Sequence, residues 1–217
     1  MTITKNYDVE LVTNNYDLNI PVSRNKIADG MKEIKVQATD AFRKRKLEID
    51  CSVGTATDDS SCLIAWDLNT TYFNELKASL KGASFVILSH PYMYNVFKAC
   101  EMDIPFAYEA QDVDYLLKKS IYGNGVQAES LTQAVFEAEK KCCLESEFVL
   151  TCSEEDADKL CELYGCDRSK MIVIPNGVSM DETPFTSLED RKKKKAAMDL
   201  TDNQICLFMG SYHKPNL

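Results

Sequence analysis

Ala83-Ser-Phe-Val-Ile-Leu88 is a short, nearly uninterrupted apolar run, and its reading decides the fold. A half-solvated strand alternates, whereas a strand covered on both faces does not, so this segment predicts the middle of a parallel sheet. Its flanks agree. Upstream, Thr71 to Leu80 sets Phe73, Leu76 and Leu80 at helical spacing, and Gly82 stands where a terminating glycine belongs. Downstream, Pro91 suits the first turn of a helix whose apolar face carries Met93, Val96, Phe97 and Cys100.

The same alternation continues toward the C-terminus. Ile104-Pro-Phe-Ala-Tyr108 is a strand ending at Glu109-Ala-Gln-Asp112, and a helix through Leu116 and Leu117 follows. Residues Ala128 to Glu145 carry Leu131, Val135, Ala138 and Cys142 on one helical stripe, and Phe148-Val-Leu-Thr151 is the next strand. Ser153-Glu-Glu-Asp156 has the spacing of a capping box, opening a helix that buries Ala157, Leu160, Cys161 and Tyr164 and stops at Gly165. Met171 to Ile174 is a strand again, and Asn176-Gly177 predicts a turn with positive φ. Residues 184 to 200 predict a linker and a helix capped near Ser187, with Lys192 to Lys195 solvated on its surface. Ile205-Cys-Leu-Phe-Met209 reads as a buried strand entering a Gly210-Ser211 turn, as at the start of a second domain.

Before residue 62 the signal is weaker. Tyr7 to Thr13 and Glu33 to Ala38 alternate and predict two strands, with a turn at Asn14-Asn-Tyr-Asp17. Residues 40 to 62 show no usable period: Arg43-Lys-Arg-Lys46 suggests a solvated helix end, and Ser52 to Ser61 a polar loop. The whole pattern predicts an α/β fold with a mostly parallel sheet.

Composition narrows the functions. Of 217 residues, 45% are apolar and 27% charged, as in an ordinary globular protein. A formal charge of −9 argues against a nucleic-acid partner, because phosphate binding draws on concentrated Lys and Arg. No stretch approaches the ~20 apolar residues of a membrane span, and Met1-Thr-Ile-Thr-Lys-Asn-Tyr7 lacks the regions of a signal peptide, so a cytoplasmic location is expected. Nine cysteines, odd in number and without framework spacing, are read as reduced thiols packing as small hydrophobes. The two histidines, His90 and His213, are not spaced with them as zinc ligands, and no metal is expected.

In an open parallel sheet, ligands sit outside the carboxyl ends of the strands. That rule selects Ser89-His90-Pro91, Glu109-Ala-Gln-Asp112, Thr151-Cys-Ser153, Asn176-Gly177 and Gly210-Ser211. His90, Glu109 and Asp112 are the ionisable candidates. Gly210 and Ser211 could let backbone N–H groups approach a phosphate. No Walker loop, dinucleotide fingerprint or nucleophile–base pair is present.

Four of these segments together resemble the nucleotide-sugar glycosyltransferases of the GT-B fold, in the family-4 group. Phe106-Ala-Tyr-Glu-Ala-Gln-Asp-Val113 is similar to a family strand ending Tyr-Glu-Ala-His-Asn-Val. Phe148-Val-Leu-Thr-Cys-Ser-Glu-Glu-Asp156 resembles its strand and Ser-Glu-x-Asp cap, and Val173-Ile-Pro-Asn-Gly-Val178 its Pro-Asn-Gly-Val junction. Leu207-Phe-Met-Gly-Ser-Tyr-His-Lys-Pro-Asn216 resembles the first strand and loop of its C-terminal domain. The resemblance implies a Rossmann-like acceptor-side domain with helices on both faces over residues 1–178, a linker and helix over 179–203, and the start of a donor-binding domain over 204–217.

It further implies retaining transfer from a nucleotide sugar to a glycan, lipid or small-molecule acceptor, without cofactor or metal. Gln111 and Glu109 would take the catalytic positions, His90 and Asp112 would line the acceptor side, and Gly210 and Ser211 would meet the donor diphosphate. Two departures follow. Gln111 stands where the family usually has histidine, so it can donate a hydrogen bond but carries no charge. The family's first strand should precede a segment that Asn6-Tyr-Asp-Val9 resembles, and so few residues lie ahead of it that the strand is expected to be missing. The expectation is therefore a truncated, inactive fragment whose exposed sheet edge invites self-association. A scaffold subunit completed in trans and a small self-sufficient nucleotide-binding protein are the alternatives.

Overall fold

The computed structural model describes residues 6–16, 19–178, 180, 183–201 and 203–206. They form two compact units, 1–174 and 175–217. In the first unit the strands fall into two sheets. Three strands, β1 (Val9–Asn15), β2 (Val22–Ala28) and β3 (Met31–Gln37), pair in the order β1-β3-β2, with β1 parallel and β2 antiparallel to β3. The hairpin between β2 and β3 turns at Asp29-Gly30, where Gly30 takes φ 72°, a region that side chains disfavour. Strand β2 was not foreseen. It is an edge strand exposed along most of its length, so it has no buried face to impose a period of two.

The second sheet is wholly parallel: β4 (Val86–Ser89), β5 (Phe106–Ala110), β6 (Phe148–Thr151) and β7 (Met171–Val173), in that order. Strand β5 buries Phe106, Ala107, Tyr108 and Ala110, using both faces. It is flanked by α3 (Thr70–Leu80), α4 (Tyr94–Ala99), α5 (Asp114–Ile121), α6 (Val126–Glu145) and α7 (Glu154–Tyr164). The expected caps form: Ser153 accepts from the Asp156 N–H at 3.0 Å, and Gly165 closes α7 at φ 67°. Phe73 and Leu76 of α3 pack against both the main core and the apolar face of the first sheet, joining the two.

The expected single sheet is thus interrupted. Val86 N–H donates to Pro105 C=O and His90 N–H to Glu109 C=O, so alternate groups at Ile87 and Ser89 face away from β5. Likewise Val9 N–H donates to Gly30 C=O, leaving Glu10, Val12 and Asn14 on the outer side of β1. Among the described residues no strand pairs with either outer edge. Leu11 (40% exposed) and Ile87 (46% exposed) lie on these two edge strands.

Residues 40 to 62 correct the sequence reading most. Helix α1 (Asp40–Val53) begins at Thr39, whose hydroxyl accepts from the Phe42 N–H, and ends at Gly54 with φ 80°. Its buried stripe is Phe42, Lys46, Ile49 and Val53, so a lysine occupies an apolar position and hides the period. Lys46 is held by Asp50 at 2.6 Å and Asp58 at 2.5 Å, with its ammonium over the Tyr16 ring. Asp50 in turn accepts from the Thr57 N–H at 2.8 Å and the Thr57 hydroxyl at 2.7 Å. The polar run that follows is therefore folded, with Thr57, Ser60 and Ser61 buried, and it leads into α2 (Cys62–Ala65).

The second unit contains α8 (Leu188–Ala197), capped by Ser187 as expected. Gly177 does not take the positive φ predicted for it, and β7 ends at Val173, short of the Ile174 expected. Ile205 and Cys206 are exposed and not in a strand, and residues 207–217, including Gly210 and Ser211, lie outside the described residues. Among the described residues no helix is long and apolar enough to cross a membrane.

Replacing Asp50 with alanine removes three hydrogen bonds at once, leaving Lys46 with Asp58 and the Thr57 N–H and hydroxyl unsatisfied. It should cost about 3 kcal/mol, read as a lowered urea midpoint at unchanged slope; Asp40→Ala, at an exposed pair of the same helix, should cost under about 1 kcal/mol.

Candidate functional site

The carboxyl ends of β4 and β5 bring Ser89, His90, Glu109, Gln111 and Asp112 to one rim. Gln111 donates from Nε2 to Ser89 Oγ at 3.3 Å, tying the two strand ends together. His90 sits at φ 62°, a strained backbone for a non-glycine residue, and a single residue in that state turns the chain from β4 into the Pro91–Met93 helical turn. Its imidazole is half-buried, stacked on Tyr92 with centroids 5.6 Å apart. Glu109 is half-buried, and its backbone carbonyl receives the His90 N–H at 3.0 Å. Gln111 and Asp112 are exposed.

Behind the rim lies a buried cluster absent from the sequence reading. Asp114, 1% exposed, faces His90 Nδ1 at 3.1 Å through Oδ2. Tyr92 donates to its Oδ1 at 2.5 Å, and the Tyr108 hydroxyl lies 3.4 Å from Oδ2. Glu139, fully buried on α6, accepts from the Asp114 N–H at 2.7 Å, the Tyr115 N–H at 3.0 Å, Tyr108 at 3.1 Å and Tyr164 at 2.5 Å. Helix α5 has no capping side chain of its own at Val113. The Glu139 carboxylate supplies that cap from another helix, satisfying N–H groups that the first turn leaves orphaned. Lys118 completes the wall, bonded to Asp59 at 2.5 Å and lying over the Tyr92 ring at 5.2 Å.

Chemically, the carboxylate opposite Nδ1 fixes the imidazole tautomer and leaves Nε2 as the nitrogen toward the rim. The Asp114 hydrogen bond is the main cause that raises the His90 pKa above its ordinary value, outweighing burial. The charges of Asp59 and Asp112 add to it. Burial pushes Glu139 up to about 7 despite its four donors. Such a pair can accept a proton from, or donate a hydrogen bond to, a hydroxyl placed at the rim. Among the described residues no three His, Cys, Asp or Glu side chains are grouped to hold a metal ion.

Glu139 did leave a trace in the sequence. It falls four residues after Val135 and eight after Leu131, a carboxylate on the apolar stripe of α6. Asp114 gave no such sign, since an acidic residue in a first helical turn is commonplace.

A family model described as Glycosyltransferase Family 4 matches residues 68–182, which include the rim and the cluster behind it. Two structures of sucrose-phosphate synthase from Thermosynechococcus elongatus are similar in fold. One matches with TM-score 0.53 at 11% identity, over 90% of this chain and 87% of that one. The other matches with TM-score 0.58 at 13% identity, over 88% of this chain but 43% of that one. A search of curated protein sequences found no match.

Both His90 and Glu139 hold their protons more tightly in the folded than in the unfolded chain. The stability they contribute is therefore complete in mild acid and is lost as pH rises through their folded-state values, toward and beyond about 7. Each group adds a slope of at most about 1.4 kcal/mol per pH unit. Urea midpoints between pH 5 and 8 should fall with pH, and Glu139→Gln should flatten that fall. In NMR titrations His90 should titrate above the ordinary 6.5, and Asp114→Asn should bring it down.

Proposed function

The chain belongs to glycosyltransferase family 4, and from that premise we propose that the rim of β4 and β5 is the acceptor side of a glycosyl-transfer site. The observation that carries the reading is the His90–Asp114 pair, aimed at the carboxyl edge of a parallel sheet and backed by Glu139. In this reading a nucleotide sugar is the donor and a glycan, lipid or small-molecule hydroxyl the acceptor. Transfer proceeds with retention at the anomeric carbon.

The roles follow from the groups available. His90 Nε2 accepts a hydrogen bond from the acceptor hydroxyl, and Asp112 stands beside it on the open side. Gln111 donates its amide hydrogen to charge that develops on the sugar or its leaving phosphate, and Glu109 supplies a carboxylate next to it. Gly210 and Ser211 meet the donor diphosphate through backbone N–H groups. A neutral Gln111 stabilises such charge less than an imidazolium would, which favours, as a second reading, a subunit that binds acceptor while another chain carries the donor.

Saccharides and nucleoside diphosphates discriminate these readings. In amide NMR spectra a panel of mono- and disaccharides should shift residues 89, 90, 92 and 109–114. His90→Ala should weaken that binding about tenfold, the worth of one hydrogen bond to a polarised group. Tight binding of UDP, GDP or ADP at the same rim, with no response to saccharides, would instead favour a nucleotide-binding protein.

The outer edges of β1 and β4 support a further part of the proposal, self-association through unpaired backbone. Ile87→Lys places a charge on the β4 edge and should lower the weight-average mass measured by sedimentation. A wild-type chain that stays monomeric at all concentrations would remove this part alone.

A further inference from the structure

Opposite the rim, at the amino ends of the parallel strands, three thiols meet. Cys143 lies in the last turns of α6, Cys161 in the last turn of α7, and Cys166 just after Gly165, ahead of β7. The sulfurs of Cys161 and Cys166 are 3.8 Å apart. Cys143 is fully buried, Cys166 nearly so at 9%, and Cys161 is half-exposed, giving the pair an opening to solvent. Lys170 reaches the same place, donating to the carbonyls of Leu144 at 3.0 Å and Cys143 at 3.4 Å.

This grouping favours a negative charge on one sulfur. When Cys166 ionises, the Cys143 thiol donates to it, and so does the Cys161 thiol. The Lys170 ammonium adds an attraction, and together they bring Cys166 below its ordinary value despite burial. By contrast, burial and the neighbouring thiolate hold Cys161 in its protonated form. The thiolate is the nucleophilic form of cysteine, so the cluster separates an attacking sulfur from a waiting thiol. Gly165 at φ 67° turns the chain so that residues five apart face one another.

We propose that Cys161 and Cys166 are a peroxide-reactive dithiol site, with Cys166 as the attacking sulfur and Cys161 as the resolving one. A sulfur lone pair of the Cys166 thiolate forms an S–O bond with hydrogen peroxide as the O–O bond breaks. Hydroxide leaves and takes up a proton to become water, and Cys166 is now a sulfenic acid. The Cys161 sulfur, releasing its proton, then attacks Cys166; the S–O bond breaks and a second water leaves. Two thiols lose two electrons, one peroxide gains them, and the product is a disulfide. Closing 3.8 Å to bonding distance takes side-chain rotation at two positions near the end of a helix. A small thiol reductant reverses the step.

Mass spectrometry tests the assignment directly, because Lys159 and Arg168 place both sulfurs in one tryptic peptide, residues 160–168, while Cys142 and Cys143 fall in the preceding one. The folded protein is treated with graded hydrogen peroxide, alkylated with iodoacetamide and digested. The 160–168 peptide should become lighter by two hydrogens and lose both alkylation sites, at least about tenfold faster than the exposed Cys51 is oxidised. Dithiothreitol should restore it. In Cys161→Ser, dimedone should trap a sulfenic acid on Cys166, and Cys166→Ser should leave Cys161 alkylatable at the same dose. Oxidation of Cys166 no faster than Cys51 in the wild-type protein overturns the proposal. So does a cross-link joining the 160–168 peptide to the preceding one, residues 142–159, which would put the resolving thiol outside the Cys161–Cys166 pair.

Discussion

A buried carboxylate on one helix serves as the missing cap of another, and the candidate site rests on that contact. Glu139 comes from α6, yet its oxygens receive the first N–H groups of α5 and two tyrosine hydroxyls. Removing the charge from water costs several kcal/mol, which only near-complete hydrogen bonding offsets. Four donors offset part of that cost, and the remainder shows in a Glu139 pKa pushed up to about 7. The consequence reaches the rim because Asp114 is the residue whose N–H is held: its side chain is thereby aimed at His90. His90 also carries an unfavourable φ, so the Asp114 contact and the His90–Glu109 backbone bond hold a conformation that the isolated turn would avoid.

The division of the sheet bears on this arrangement without weakening it. The wholly parallel part, β4 to β7, supplies every residue of the rim and has its own covered core. The mixed part joins it through α3 and through Val96 and Met93, which pack on Ile34 and Val36. Apolar packing thus holds two sheets together where backbone pairing does not. Packing of that kind is less directional than a ladder, and it leaves the outer backbone groups of two strands without a strand partner among the described residues, the Val12 carbonyl taking the Tyr72 hydroxyl at 3.4 Å instead.

What could be read in the sequence followed from which physical signal each element carries. Strands β5 and β6 announce themselves because burial on both faces demands apolar runs, and α7 because Ser153 and Gly165 bound it; β4 carries such a run yet is not the central strand it suggested, since it ends its sheet among the described residues and buries only Leu88. Strand β2 has no buried face, so no pattern marks it. Helix α1 carries its stripe, but one member is Lys46, whose burial is made possible by Asp50 and Asp58. The loop through Thr57 and Ser60 looked solvated because its residues are polar; it is buried because their partners are carboxylates and a tyrosine distant in sequence. At the rim, position relative to strand ends was legible, which gathered His90, Glu109, Gln111 and Asp112. The groups that orient them were not, since Asp114, Tyr92 and Glu139 meet only in three dimensions.

Gln111 and His90 differ at the rim in the charge they can carry. Gln111 is neutral at every pH and is tied to Ser89, so its contribution is directional rather than electrostatic. Positive charge among the described rim residues can come only from His90, and Asp114 favours it there. A protonated His90 over an ionised Asp114 is a closed pair with little net field at the open side, whereas the neutral imidazole presents a lone pair on Nε2. The rim therefore has two states that differ by one proton: one suited to donating a hydrogen bond to an anionic oxygen, the other to receiving the hydrogen of a hydroxyl. Because Asp114 is held through its backbone as well as its side chain, passing between these states need not move the scaffold, and a ligand that prefers either one selects it through the proton alone.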